Sequence, residues 1–141
     1  MRVWTASDEL AVEPSGYDAS VLLPAAEASS AVAVLALAAV RACTGRAIQR
    51  DDRWVAQGDP MEAAIEVFAR RLGLDPEAEA TADPVIRRYP FDPRRRRMTV
   101  VVGQTMFTKG APDSVLERCG AEANAAAALA AMTERGLRVL A

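Results

Sequence analysis

The stretch RMTVVVGQTMFTKG, residues 97–110, consists of two apolar-rich runs separated by the pair Gly103–Gln104. A Gly-X pair between two such runs is typical of a β-hairpin closed by a type II′ turn. The predicted register pairs residues across the two strands as follows: Val102 with Thr105, Val100 with Phe107, and Met98 with Lys109. This stretch therefore predicts an antiparallel pair of strands.

The sequence on either side of the hairpin predicts an α+β fold. Residues 2–13 read as two short strands around a Ser7–Asp8 turn, and strand-like sequence begins again at Val85, interrupted by Pro90 and Pro93. The remaining predictions are helices over 25–43, 60–72, 112–119 and 122–135, an acidic loop over 75–84, and a terminal strand, LRVLA, over 137–141. This order favours a mostly antiparallel twisted sheet flanked by helices. We expect residues 1–141 to form one domain, excised from a longer chain because it ends on a strand.

The overall composition excludes several classes of protein. The net charge is −2 and the chain has no histidine, so it is neither a general polyanion binder nor a protein with a His-based metal site. Cys43 and Cys119 have no CxxC spacing, which favours a reduced cytosolic setting without zinc. The longest apolar run, residues 31–40, is too short to cross a bilayer.

Lys109 is the only lysine among 17 basic residues. The predicted register places Lys109 on the same face as Arg96, and two cations without a nearby carboxylate favour a bound anion between them. The small residues Gly110 and Ala111 follow, just before a predicted helix N-terminus, which also favours anions. Phe91, held between prolines near these cations, is suited to stacking on a flat ring. Together these features indicate a nucleotide site.

Each of these features also has a simpler interpretation. A lysine at a strand end is most often solvated, and Phe91 would also be explained by packing into the core. The run Arg94–Arg97 is typical of a charged face or of a nucleic-acid patch. Glu62 lies three residues after Asp59, which is the spacing of a capping box at a helix start.

Four motifs in order resemble the nucleotide-binding domain of P-type cation-transporting ATPases, in particular the calcium-pump-like branch. They are GDPMEAAI (58–65), YPFDPRRRRMTVV (89–101), FTKGAPDSVLERC (107–119) and GLRVLA (136–141). The resemblance implies an ATP-binding domain of a membrane pump. It also implies that the phosphorylatable aspartate lies outside this chain, in a neighbouring phosphorylation domain, so that the fragment alone does not hydrolyse ATP.

The resemblance also implies roles for individual residues. Phe91 takes the position of the aromatic that stacks on adenine, Glu62 that of an acidic residue near the adenine, and Lys109 that of the lysine at the bottom of the pocket. The further ATP-binding residues that it implies are Arg96, Met98, Gly110, Ala111 and Arg138. Three positions depart from the family pattern: Met61 stands where Thr is usual, Pro93 where Ser is usual, and Arg96 where Lys is frequent.

The resemblance further implies ATP as the ligand, with Mg²⁺ in the full-length parent, and no nucleic-acid partner. Two alternatives stay open from the residues themselves. One is a stand-alone module for a nucleotide or another anion, and the other is a nucleic-acid-binding domain that uses Arg87–Arg88 and Arg94–Arg97.

Overall fold

A computed structural model describes residues 1–14, 16–24, 29–120 and 124–141 of the chain. The chain divides into two compact units, which comprise residues 1–84 and 85–141. Within the described residues, no helix is both long enough and apolar enough to cross a membrane.

The described residues of the first unit form four strands and three helices. Its elements are β1 (Arg2–Trp4), β2 (Glu9–Ala11), α1 (Ser30–Arg41), β3 (Arg46–Arg50), β4 (Arg53–Gln57), α2 (Pro60–Arg71) and α3 (Pro76–Ala82). Strands β1 and β2 form one antiparallel pair, and β3 and β4 form a second. The predicted strand pair around Ser7–Asp8 is confirmed. A cluster of six buried side chains forms the core: Val3, Val12, Val32, Ala36, Phe68 and Ala69.

Helix α1 is shorter than the predicted span of 25–43. It begins at Ser30, and the hydroxyl of Ser29 caps it by accepting a hydrogen bond from the backbone N–H of Val32. Residues 25–28, where the helix was predicted to start, lie outside the described residues. The side chain of Ser29 takes the cap because a serine oxygen satisfies one of the N–H groups left over at a helix start.

Helices α2 and α3 begin with the same Asp-Pro signature. Asp59 and Asp75 each accept hydrogen bonds from two backbone N–H groups of the following turn, and a proline occupies the first helical position of both. The prediction of a loop over 75–84 is therefore wrong. No residue of α3 is buried, and its sequence has no apolar stripe that would indicate a helix. The Asp-Pro start was the one helix signal present.

The hairpin of β3 and β4 was not predicted. Its two turn residues, Asp51 and Asp52, have φ angles of +48° and +58°. Positive φ at both positions defines a type I′ turn, which usually contains Asn or Gly. The pair Asp-Asp is less common at these two positions, so the sequence indicated this turn only weakly.

The second unit contains a three-stranded antiparallel sheet in the order β5 (Val85–Asp92), β6 (Arg97–Val102), β7 (Thr105–Gly110). The predicted register of the central hairpin is confirmed at all three pairs. Gly103 has a φ of +56° and Gln104 does not have positive φ, as a type II′ turn requires. With strands paired only in antiparallel fashion beside helices, the predicted α+β class is confirmed.

Strand β5 continues through Pro90, where the sequence predicted an interruption. Within the sheet β5 is an edge strand, and a proline is tolerated there because its missing N–H need not join the ladder. The register shifts between Tyr89 and Asp92, so the strand passes the proline with a β-bulge rather than a turn.

The C-terminal part of the second unit holds two helices, α4 (Pro112–Leu116) and α5 (Ala125–Glu134). Both are shorter than predicted, and residues 121–123 lie outside the described residues. The predicted terminal strand over 137–141 is wrong, since these residues are irregular. Only Ala141 pairs in strand fashion, exchanging two backbone hydrogen bonds of 2.9 and 3.1 Å with Gly110.

Candidate functional site

The bulge in β5 places Phe91 in a row with two other predicted site residues. Tyr89 pairs with Thr99, and Asp92 pairs with Arg97, so Pro90 and Phe91 both lie opposite the single residue Met98. Met98 in turn pairs with Lys109 on β7. Because cross-strand neighbours share a face, the sheet brings Phe91, Met98 and Lys109 together as three adjacent positions across its strands.

The members of this row differ in exposure. Phe91 is 58% exposed, whereas Met98 and Lys109 are each only 7% exposed. The interpretation of Phe91 as a core residue is therefore wrong, and so is that of Lys109 as a solvated strand end. An exposed aromatic ring beside a buried methionine and a buried ammonium is an arrangement that a flat apolar ring with an attached anion fits.

A surface depression of about 430 Å³ lies beside Phe91. Its lining consists of consecutive residues of the strand end and the following turn: Pro90, Phe91, Asp92, Pro93, Arg94 and Arg95. Asp92 shapes this turn, since one of its carboxylate oxygens accepts hydrogen bonds from the backbone N–H groups of Arg94 and Arg95 at 2.7 and 3.3 Å. These bonds hold the pKa of Asp92 below its usual range, so the carboxylate stays charged.

Arg96 does not behave as the sequence predicted. It precedes β6 with a φ of +51°, so the alternation of faces along the strand does not extend to it. Its guanidinium forms an ion pair with the carboxylate of Asp113, and this contact lowers the pKa of Asp113. The expectation that Arg96 lacks a nearby carboxylate is therefore wrong. Asp113 stands two residues beyond Ala111, and the conformation of the turn brings it within reach.

Gly110 and Ala111 lie where the turn approaches β7 closely. A Cβ atom at Gly110 would stand 2.3 Å from the carbonyl oxygen of Arg96 and 2.6 Å from the Cα of Arg97. The N–H of Ala111 donates to that same carbonyl at 2.9 Å. The glycine is thus required by contact within the chain, and the backbone N–H groups of both residues already have acceptors.

Glu62 lies in the other compact unit, in the first turn of α2. Its Oε2 atom accepts hydrogen bonds from the backbone N–H of Thr44 (2.7 Å), the hydroxyl of Thr44 (2.9 Å) and the N–H of Gly45 (2.7 Å). Gly45 packs tightly here, since an added Cβ would stand 2.7 Å from the carbonyl oxygen of Asp59. Glu62 therefore stabilises the connection between α1 and β3. The capping-box spacing did not predict this role.

Arg138 lies in the irregular C-terminal segment of the second unit and is exposed. Five of the eight predicted site residues thus gather on the sheet and the adjoining segment of the second unit: Phe91, Met98, Lys109, Gly110 and Ala111. Arg96 is adjacent but bound to Asp113. The sequence indicated Arg94 only as part of the run Arg94–Arg97 and did not indicate Asp92, although both line the depression.

Comparison with known proteins shows which family the chain belongs to. The family model described as P-type ATPase, cytoplasmic domain N, matches residues 27–141. The chain therefore belongs to the family of cytoplasmic N domains of P-type ATPases, as the four sequence motifs predicted.

Individual relatives are longer proteins. The chain is 34% identical to the probable cation-transporting ATPase F of Mycobacterium tuberculosis (strain ATCC 25618 / H37Rv), over 99% of the chain and 18% of that protein. It is 39% identical to the calcium-transporting ATPase of Bacillus subtilis (strain 168), over 50% of the chain and 8% of that protein. The sodium/potassium exporting P-type ATPase cta3 of Schizosaccharomyces pombe is also 39% identical, over 47% of the chain and 7% of that protein. The chain thus spans less than a fifth of the length of these relatives.

Proposed function

We propose that this N domain binds ATP, with the adenine stacked on Phe91 and the triphosphate directed toward Lys109. The observation that carries the proposal is the row of Phe91, Met98 and Lys109, which the β-bulge assembles across three strands. Stacking of a base on an aromatic ring contributes about 1–3 kcal/mol. Lys109 is a buried residue, and a buried charge attracts a phosphate more strongly than a fully solvated one does.

The other predicted residues contribute in different ways. Met98 supplies an apolar wall beneath the base. Gly110 and Ala111 contribute shape, because their N–H groups are already bonded within the chain. Arg96 reaches a phosphate only when its ion pair with Asp113 opens, and Arg138 is a second exposed cation for the phosphates. Glu62 lies in the other unit, and its place near the adenine is implied by the resemblance alone.

We infer that the chain is a cytoplasmic part of a longer membrane protein, an ATP-driven cation pump. The relatives named as cation-transporting ATPases support this inference. In such a protein the N domain holds ATP so that its γ-phosphate reaches an aspartate in the phosphorylation domain of the same chain, and catalysis rests on positioning.

Mg²⁺ belongs with the phosphates in that full-length protein, where it offsets their charge. The described residues contain no cluster of three or more metal-ligating side chains, so we assign no Mg²⁺ ligand to this chain. The chain alone is proposed to bind ATP without hydrolysing it.

The two alternatives have less support. A stand-alone nucleotide or anion module would use the same row of residues, but the family match favours a pump. A nucleic-acid patch would use Arg87–Arg88 and Arg94–Arg97, but three of these six, Arg95, Arg96 and Arg97, contact side chains of their own unit.

A calorimetric ATP titration of the chain tests the proposal, with amide NMR as a second readout. Phe91→Ala should weaken ATP binding about tenfold or more. The matched control is Tyr89→Ala, because Tyr89 pairs with Thr99 on the opposite face of the sheet, under the guanidinium of Arg87. Equal ATP affinity in the Phe91 variant and the parent chain would refute the proposed stacking. Amide shifts with an oligonucleotide but none with ATP would favour the nucleic-acid alternative.

A further inference from the structure

Four consecutive arginines, Arg94–Arg97, are equivalent in the sequence but have different surroundings in the structure. The Nε of Arg95 lies 3.3 Å from a carboxylate oxygen of Asp92, and Arg96 is paired with Asp113. The Nη1 of Arg97 donates to the hydroxyl of Ser114 at 3.1 Å. These three guanidinium groups are engaged within their own unit.

Arg94 differs from the other three. Only its backbone N–H bonds to Asp92, and its guanidinium makes no hydrogen bond or ion pair with any residue that the structure describes. Arg94 also lines the depression beside Phe91. Of the four arginines in this run, all of which the structure describes, Arg94 is thus the one whose guanidinium has no such partner. It lies at the edge of the surface against which the base is proposed to stack.

The charge around Arg94 favours an anion. The neighbouring carboxylate of Asp92 is already occupied by two backbone N–H groups and by Arg95, so its charge is largely offset. A guanidinium presents a planar fork of donors that matches two phosphate oxygens at once. Because Phe91 is proposed to stack on the base, the phosphate chain is the part of the nucleotide that remains to contact Arg94.

We propose that Arg94 is a further ligand-contacting residue of the nucleotide site and binds the phosphate chain of a nucleotide whose base stacks on Phe91. This proposal rests on the proposed ATP-binding function. It assigns to Arg94 the contact that the sequence pattern assigned to Arg96.

The experiment compares Arg94→Gln with Arg135→Gln, which removes the same charge from an exposed residue of the same unit that does not line the depression. Each variant and the parent chain are titrated with adenosine, AMP, ADP and ATP by calorimetry. We expect Arg94→Gln to lower ATP affinity about fivefold to tenfold, as loss of a hydrogen bond to a charged group does, and to leave adenosine affinity unchanged. Arg135→Gln should change ATP affinity less than about twofold, because an exposed charge outside the depression acts only through the screened field of the protein.

Three results would overturn the assignment of Arg94. The first is an unchanged ATP affinity in Arg94→Gln, and the second is an equal loss for adenosine and ATP. The third is an equal loss of ATP affinity in Arg135→Gln, which would indicate general attraction by net charge. If the parent chain binds ATP and Phe91→Ala weakens it while Arg94→Gln does not, only the assignment of Arg94 is wrong. If the parent chain binds no adenine nucleotide, the proposed function and this inference fall together.

Discussion

Two buried charged side chains, one in each compact unit, have different surroundings. Glu66 in α2 is 2% exposed and accepts hydrogen bonds from the N–H of Ala47 and from the Nε and Nη2 of Arg70. Lys109 in β7 is similarly buried, but it ends a row that leads through Met98 to the exposed ring of Phe91. Burial of a charge therefore does not by itself indicate a binding site. The neighbouring residues distinguish Glu66, whose hydrogen bonds stabilise the fold, from Lys109, which is proposed to face a ligand.

The largest expected effect is on stability, at Glu66. Glu66→Ala leaves the N–H of Ala47 without its acceptor and Arg70 paired with Glu77 alone, and removing one partner of a buried pair costs about 3 kcal/mol. Both tryptophans, Trp4 and Trp54, lie in the first unit, so urea unfolding followed by tryptophan fluorescence reports on it.

The matched control for this variant is Glu13→Ala, since Glu13 is exposed and lies in the same unit as Glu66. It should change the free energy of unfolding by less than about 0.5 kcal/mol. If the two variants unfold at the same urea concentration, the structural role assigned to Glu66 is wrong.

Lys109→Arg tests the second of the two buried charges, the one that is proposed to face a ligand. The variant keeps the charge, but the wider planar guanidinium does not fit the space of a compact ammonium. We expect ATP affinity to fall about tenfold, or ~1.4 kcal/mol, with far-UV circular dichroism unchanged. Arg135→Lys, a charge-conserving change at an exposed residue after α5, serves as the control. If the Lys109→Arg variant binds ATP as tightly as the parent chain, the size of the cation is irrelevant.

The sequence predicted the central hairpin well because its turn and its register have local causes. Gly103 selects the turn, and alternation along β6 then determines which side chains share a face. The bulge at Pro90 and Phe91 was not predictable in the same way, since it depends on how β5 pairs with β6 over a longer distance. The row of Phe91, Met98 and Lys109 therefore depends on how all three strands pair.

The same distinction explains the misses in the first unit. Asp75–Pro76 carries the helix-start signal of Asp59–Pro60, but α3 has no large apolar side chain and gave no periodic pattern. The partners of Arg96 and Glu62 were missed because each lies 17 or 18 residues away along the chain. Spacing identifies the residue type at a site, whereas the contact depends on how distant segments meet.

The two hairpin turns provide a smaller test. Asp52 has positive φ, a region that costs most L-residues energy and that glycine enters readily. Asp52→Gly should therefore stabilise the first unit by about 0.5 kcal/mol, and Gly103→Ala should destabilise the second by about 1 kcal/mol. Tryptophan fluorescence follows the first change, and circular dichroism follows the second. Changes of the same sign in both variants would contradict the turn types assigned here.

The smallest effect concerns Asp113, whose pKa is held below its usual value of 3.8 chiefly by its hydrogen bond to Arg96. A carboxyl group with a lowered folded-state pKa stabilises the fold at pH values above its unfolded pKa, and that contribution is lost as the pH falls through the folded value. Asp113→Asn should therefore lower the urea midpoint of the second unit slightly at neutral pH, and the difference should shrink as the pH falls below the usual value of 3.8. Salt should also shrink the difference at neutral pH, because both side chains are exposed and the pair is screened. A difference that is the same at neutral and acidic pH would show that the ion pair contributes nothing, and that Asp113 acts only through its position at the start of α4.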